Sequence, residues 1–203
     1  MLVVFEGLDG SGKSTLIRKV ERELIERGYD VLKVREPDKE IREQVCREDK
    51  RLDMQDERVL MEKCHTILQK DVVKLYNGIV ISDRSYLYSS LVYQTKSLLD
   101  MEVRRAEYLR NFSHPDLVYV LTTSPEICRV RALGNRPDET SAFDKAPIEQ
   151  YEERYKKYMA MADFPEVRMI DCDADIDAIC NEITAMERNR DGREKEEQYT
   201  SNL

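Results

Sequence analysis

The pattern that most constrains this chain is Gly7-Leu8-Asp9-Gly10-Ser11-Gly12-Lys13-Ser14, a G-x-x-x-x-G-K-S/T loop. Before it stands Leu2 to Phe5, a short β-branched run without polar interruption; after it Leu16, Val20 and Leu24 recur every four residues until Gly28. The first stretch predicts a strand buried on both faces of a parallel sheet, and the second a helix that its glycine stops. Strand, glycine loop and helix in this order make a phosphate cradle. Glycines let successive backbone N–H groups turn inward, and the helix N-terminus adds the positive end of its dipole. Gly7, Asp9, Gly10, Ser11, Gly12, Lys13, Ser14 and Thr15 are therefore the expected residues for a nucleoside triphosphate, with Lys13 reaching the β- and γ-phosphates and Ser14 ligating Mg²⁺.

The rest of the chain repeats the alternation. Val31 to Val34, Ile79 to Ile81, Leu117 to Leu121 and Val167 to Ile170 read as further strands, and Pro37 ends the second of them. Met61, Cys64, Leu68, Val72 and Leu75 trace one face of a long helix closed by Asn77-Gly78. A short helix is expected around Glu40 to Arg47, others over residues 86 to 95 and 101 to 112, one starting at Pro125, one through Ile148, Tyr151, Tyr155 and Tyr158, and a last one through Ile176, Ile179, Ile183 and Met186. Alternation of this kind predicts an α/β fold with a doubly wound five-stranded parallel sheet flanked by helices and ligands at the carboxyl ends of the strands. One domain over residues 1–186 is expected, with a lid at about 134–147, where Gly, Asn, two prolines and several charges break the periodicity. Residues 187–203 read as a polar, disordered tail.

Charge limits how such a chain can hold polyanions. With 33 Lys and Arg against 41 Asp and Glu the net charge is −8, so binding by a diffuse basic surface is excluded and no nucleic acid partner is expected. No run of ~18 apolar residues suits a membrane span, and the N-terminus lacks the basic region of a secretory signal. The five cysteines, Cys46, Cys64, Cys128, Cys172 and Cys180, are scattered and show no zinc spacing. Reduced thiols in the cytoplasm are expected, with Cys64, Cys128 and Cys180 as packing residues.

A phosphate loop serves GTPases, motor ATPases and small-molecule kinases alike. Here there is no NKxD-type guanine motif and no strand ending in the Asp-Glu of many ATPases. The third strand instead ends Ile81-Ser82-Asp83-Arg84, a carboxylate for the metal beside a guanidinium whose planar fork suits an acceptor that is itself a phosphate. Asp83 and Ser14 are the expected metal ligands, and Lys13, Asp83 and Arg84 the expected catalytic set.

The ordered set Phe5-Glu6-Gly7-Leu8-Asp9-Gly10-Ser11-Gly12-Lys13-Ser14-Thr15, Arg35-Glu36-Pro37, Asp83-Arg84 with Ser89-Ser90-Leu91-Val92-Tyr93-Gln94, and Pro115-Asp116-Leu117 with Ser124-Pro125-Glu126 resembles the thymidylate kinase family over about residues 1–185. The resemblance implies ATP-dependent phosphorylation of dTMP to dTDP with Mg²⁺, and a homodimer formed through the helices beside the third strand. It places Asp9 on the sugar 3′-hydroxyl or the metal, Arg84 on the acceptor phosphate, Ser90 at the base edge, and Tyr93 under the deoxyribose, where it excludes a 2′-hydroxyl. Ser89 and Gln94 belong to the same block, and Arg35 or Arg42 supplies a second grip on the acceptor. Members of the family carry a transition-state cation in the phosphate loop or in the lid. Leu8, Asp9, Gly10 and Ser11 are not basic, so the lid must supply it: Arg136 first, Arg131 next, with Arg129 also near.

Three departures from the family pattern stand out. Arg35-Glu36-Pro37 is followed by Asp38-Lys39-Glu40 rather than Gly-Gly-Thr, and Ser85 is an extra residue ahead of Tyr86. The family's stacking aromatic and, one helical turn later, its base-binding Arg correspond either to Val59 and Lys63 or to Met61 and His65, and neither pair contains an aromatic ring. Two further readings follow: a kinase for another deoxynucleoside monophosphate on the same fold, or a nucleotide-binding module without transfer. The second has no need for Lys13, Asp83 and Arg84 together.

Overall fold

In a computed structural model of the protein, residues 1–38, 54–112, 114–135 and 145–201 are described. Five strands, β1 (Leu2–Glu6), β2 (Val31–Arg35), β3 (Ile79–Asp83), β4 (Leu117–Leu121) and β5 (Val167–Ile170), form one sheet in the order β2-β3-β1-β4-β5. All four pairings are parallel, with Phe5 opposite Asp83 and Tyr119. The doubly wound five-stranded sheet read from the alternation is the one observed. The helices are α1 (Lys13–Glu26), α2 (Met54–Ile67), α3 (Tyr86–Tyr93), α4 (Leu98–Asn111), α5 (Pro125–Asn135), α6 (Ile148–Met159) and α7 (Ile176–Ser201). The short helix expected at 40–47, Cys46 and most of the expected lid fall outside the described residues.

Both faces of the sheet are covered, as the unbroken apolar strands require. Leu2, Val4, Val80, Val118 and Val120 face a core with Tyr86, Leu87, Leu91, Tyr151 and Tyr158 from α3 and α6. Val3, Phe5, Ile79, Ile81, Leu117, Tyr119 and Leu121 face the opposite core, with Leu16, Ile17, Val20 and Leu24 of α1 and Ile179 and Ile183 of α7. Alternate residues of each strand thus feed opposite layers, and each fully buried aliphatic side chain contributes about 1.5–3 kcal/mol. Cys64, Cys128 and Cys180 are free and buried, in the packing role expected of them.

Two stretches differ from their periodicity. The helix traced from Met61 to Leu75 is α-helical only to Ile67 and continues as a π-helical turn, Leu68–Val73, in which the Lys74 N–H reaches the Gln69 carbonyl. Helix α7 runs past residue 186 to Ser201, through much of the stretch read as a polar tail. Glu187 is buried there, with its carboxylate 3.9 Å from the ammonium of Met1 and 2.9 Å from Arg190.

Candidate active site

The phosphate loop leaves β1 at Glu6 and enters α1 at Lys13, with Gly12 at φ +99° as the last residue before the helix. Gly10 shows why no side chain fits: its φ is +82°, and an added Cβ would lie 2.1 Å from the carbonyl oxygen of Cys128 on α5. The loop is thereby clamped between β1 and the start of α5. Ser11 reinforces this, its N–H donating to the Leu8 carbonyl and its own carbonyl accepting from the Thr123 hydroxyl at 2.9 Å. Thr15 begins the exposed side of α1 and pairs its hydroxyl with Arg18.

Lys13 is buried, and its ammonium donates to the carbonyls of Gly7 and Leu8 at 2.8 Å each. Burial and the neighbouring Arg84 charge lower its pKa to about 8 against the pull of Asp9, Asp83 and Glu6. The Ser14 hydroxyl donates to Asp83 Oδ2 at 3.0 Å, so the two expected metal ligands stand side by side. Two hard oxygens at the edge of a phosphate cradle fit Mg²⁺, and Ser14 and Asp83 are the residues that would hold it. No cluster of three or more His, Cys, Asp or Glu that could hold a metal occurs among the described residues.

Arg84 is the hub of the acceptor side. It follows β3 in the left-handed region at φ +74°, a conformation that a non-glycine residue keeps only where its surroundings hold it. Its guanidinium meets Asp9 at 2.7 Å, Glu6 at 3.4 Å and the Tyr158 hydroxyl at 3.2 Å, and it lies 5.8 Å from the centre of the Tyr93 ring. Asp9 also accepts from the Tyr93 hydroxyl at 3.4 Å, and the Arg154 guanidinium lies 4.9 Å from the centre of the same ring. Burial alone would raise the Asp9 pKa, but Arg84 and Lys13 outweigh it and hold the carboxyl well below the usual range. Arg84 in turn is held well above its ordinary value by Asp9 and its other partners despite its burial.

Glu6 ties these groups together. Fully buried, it accepts from the Ser85 N–H at 2.8 Å, the Ser89 hydroxyl at 2.9 Å and the Tyr158 hydroxyl at 2.9 Å. Its pKa is nevertheless raised, because burial outweighs Arg84, the Ser85 N–H and Lys13. Burial and the Glu6 charge likewise push the Tyr158 phenol up.

The expected residues divide into two groups. Lys13, Ser14, Asp83, Arg84, Asp9, Ser89 and Tyr93 converge on the loop. Ser90 is buried and donates instead to the Leu87 carbonyl at 2.8 Å, with Tyr108 OH at 3.2 Å, so its hydroxyl is taken up inside the core. Gln94 accepts from Arg104 at 3.0 Å, and Met61 packs on the core from α2. His65 is buried with Nδ1 2.9 Å from Glu36. Arg35 ends β2 opposite Asp83 in register. Arg131 is exposed, 4.0 Å from the Cys172 sulfur, and Arg129 donates to the Ala146 carbonyl at 3.2 Å. Arg42 and Arg136 lie outside the described residues.

Four participants were given no role in the sequence reading: Glu6 and Glu36, which stand inside motifs, and Tyr158 and Arg154, which do not. A carboxylate closing a strand buried on both faces was the available signal for Glu6, since such a charge has to be paired. Tyr158 was visible only as one member of a tyrosine stripe on α6.

Comparison with known proteins gives the family. The sequence model of the family described as thymidylate kinase matches residues 5–183. A probable thymidylate kinase of Thermococcus onnurineus (strain NA1) is 33% identical over 204 aligned residues, covering 92% of this chain and 96% of that protein. A thymidylate kinase of Caldicellulosiruptor saccharolyticus (strain ATCC 43494 / DSM 8903 / Tp8T 6331) is 35% identical over 159 residues, 70% of this chain and 75% of its own length. A match across nearly the whole chain, with the phosphate loop and Asp83-Arg84 in place, means that the chain belongs to the thymidylate kinase family.

Proposed function

We propose that this protein transfers the γ-phosphoryl group of ATP to dTMP, giving dTDP. The observation that carries the reading is Arg84, held by Asp9 and Glu6 at the mouth of the loop that contains Lys13. A cation for an acceptor phosphate thus adjoins a cation for the donor phosphates. The acceptor is its own nucleophile, because a phosphate monoester is largely a dianion at neutral pH (second pKa about 6). No general base is needed, so the work of the chain is positioning and charge stabilisation.

In this reading Lys13 and the loop N–H groups bind the β- and γ-phosphates, and Arg84 orients the acceptor oxygen toward the γ-phosphorus. Asp9 keeps Arg84 in place and offers its other oxygen to the sugar, with Tyr93 beneath it. Ser14 and Asp83 would hold Mg²⁺, which when bound neutralises charge on the transferring phosphates. Arg136 of the lid supplies the remaining cation, with Arg131 as the second candidate; one such arginine is worth about 10³–10⁵ in rate. Arg136→Ala with near wild-type kcat would overturn that role.

A homodimer in the cytoplasm belongs to the same reading. Exposed Val59 and Ile67 on α2 support the dimer, and light scattering that returned the mass of one chain would break it. No helix among the described residues is long and apolar enough to cross a membrane. The missing stacking ring at Met61 favours one second reading, a different deoxynucleoside monophosphate as acceptor. Steady-state assays with dTMP, dUMP, dGMP, dAMP and dCMP separate the two, and turnover confined to a base other than thymine sinks the first.

A further inference from the structure

Lys157 of α6 is 7% exposed and takes no part in the chemistry above. Its ammonium donates to the carbonyls of Thr95 at 2.7 Å and Val92 at 3.2 Å, and lies 2.9 Å from the Glu153 carboxylate. Three N–H donors thus meet three acceptors. The two carbonyls stand at the end of α3 and just past it, where a helix leaves its last C=O groups without partners and gathers negative dipole charge. Neighbouring carbonyls are met locally, that of Ser90 by the Gln94 N–H and that of Leu91 by the Thr95 hydroxyl, whereas Val92 takes its partner from α6. Burial of an ammonium is costly unless it is fully paired, and here the pairing falls on the backbone either side of Tyr93.

Tyr93 is held from three directions. Lys157 brackets its backbone, Asp9 accepts from its hydroxyl at 3.4 Å, and the Arg154 guanidinium lies 4.9 Å from the centre of its ring. Arg154, Lys157 and Tyr158 are spaced i, i+3 and i+4, so they share one face of α6. Tyr158 completes that face, its hydroxyl donating to Glu6 at 2.9 Å and accepting from Arg84 at 3.2 Å. The same helix is anchored on the donor side. The Tyr155 hydroxyl donates to the Thr122 carbonyl at 3.3 Å, next to the Thr123 that holds Ser11, and Arg129 of α5 reaches the Ala146 carbonyl just ahead of α6. One helix therefore references the acceptor groups to the phosphate loop.

We propose that Lys157 is a positioning residue: through the backbone on either side of Tyr93 it sets the height of that ring beside Asp9. It thereby governs how the acceptor lines up with the γ-phosphate and how strictly a 2′-hydroxyl on its sugar is refused. A ring fixed at its backbone, its hydroxyl and its face cannot drop away from a bulkier sugar, whereas a ring tied to Asp9 alone can. Alignment matters as much as fit, because a misplacement of about 1 Å costs about 10²-fold in rate. Arg154 acts on the same ring as a second, weaker hold, a cation against its face. The assignment rests on the kinase reading, with the acceptor's sugar against Tyr93, and adds the residue that keeps the floor of that sugar in place.

The test compares two acceptors that differ by one hydroxyl, dTMP and ribothymidine 5′-monophosphate, in kcat/KM. Wild-type protein is expected to prefer dTMP by about a hundredfold or more. In Lys157→Met, which keeps the stem and loses the ammonium, that preference should shrink about tenfold, kcat with dTMP should fall about tenfold, and KM for ATP should stay unmoved. Lys157→Arg, which keeps the cation and its donors, should return most of both. Arg154→Gln leaves the buried anchor in place and should cut the preference by about two- to fivefold. A merely structural role would lower activity toward both sugars alike and leave their ratio standing. Equal use of the two acceptors by the wild type overturns the assignment and leaves the kinase reading intact. So does an undiminished ratio in Lys157→Met or, where that variant does not fold, in Arg154→Gln. Absence of any dTMP turnover by the wild type overturns both.

Discussion

The donor and acceptor sides of this site are built from different materials. On the donor side the functional groups are backbone amides, one lysine and one serine from a contiguous loop, and glycines at positive φ hold them in place. On the acceptor side the groups are polar and charged side chains from β1, the loop, the residue after β3, α3 and α6, locked together by the Glu6–Arg84–Asp9 cluster. Backbone carries its shape locally, through glycine geometry rather than through charged partners. A buried ionic cluster is cooperative: removing one member leaves another charged and unpaired.

Lys13→Ala should give the largest effect on rate and little on stability. The expected loss in kcat is about 10³-fold or more, because a cation facing the developing charge disappears while the loop keeps its glycine geometry. A thermal scan of the same variant should move by only a few degrees, about the scale of a 1 kcal/mol change. Collapse of the fold would show that the donor side is as coupled as the acceptor side.

Arg84→Met should instead lose both activity and stability. Breaking a buried pair costs about 3–5 kcal/mol when one partner stays charged, measurable by urea unfolding. Adding Glu6→Gln should return part of that loss, since the amide no longer demands a cation. Additive effects of the two substitutions would remove the coupling claimed here.

The pH dependence should also separate the two sides. Lys13 has a pKa of about 8 in the free protein, and bound phosphates favour its charged form. Affinity for ATP should therefore be level below about pH 8 and weaken above it, by up to tenfold per pH unit, as binding comes to require proton uptake. Lys13→Ala should flatten the profile. Asp9, held far below the usual carboxylate range by Arg84 and Lys13, should contribute no change between pH 5 and 7.

The smallest effect belongs to Ser90→Ala. Its hydroxyl bonds Leu87 and Tyr108 within the core, so about 1 kcal/mol of stability and less than a twofold change in KM for dTMP are expected. A large rise in that KM would return Ser90 to the base edge where family resemblance puts it.

The five strands, the order of strand, loop and helix, and the donor residues were legible in the sequence. Their signals are local: unbroken apolar runs for β1 and β4, a four-residue recurrence for α1, and a phosphate loop whose chemistry lies in consecutive amides. Asp83 and Arg84 were legible too, as charges placed at the carboxyl end of a buried strand. The partners of those charges were not. Tyr158 meets a carboxylate at the end of β1, 152 residues away, and His65 a carboxylate just after β2, 29 residues away, because β2, β3 and β1 lie side by side and α6 and α2 bring these side chains to their ends. Periodicity tells which face of an element is buried, not which side chain of another element it will meet there. By itself, then, the sequence determined the phosphate loop and the sheet that carries it, since both follow from short-range geometry. Only tertiary structure decided that Glu6 clamps Arg84, that Ser90 turns into the core, and that His65 meets Glu36, since each depends on buried polar groups choosing partners across the fold.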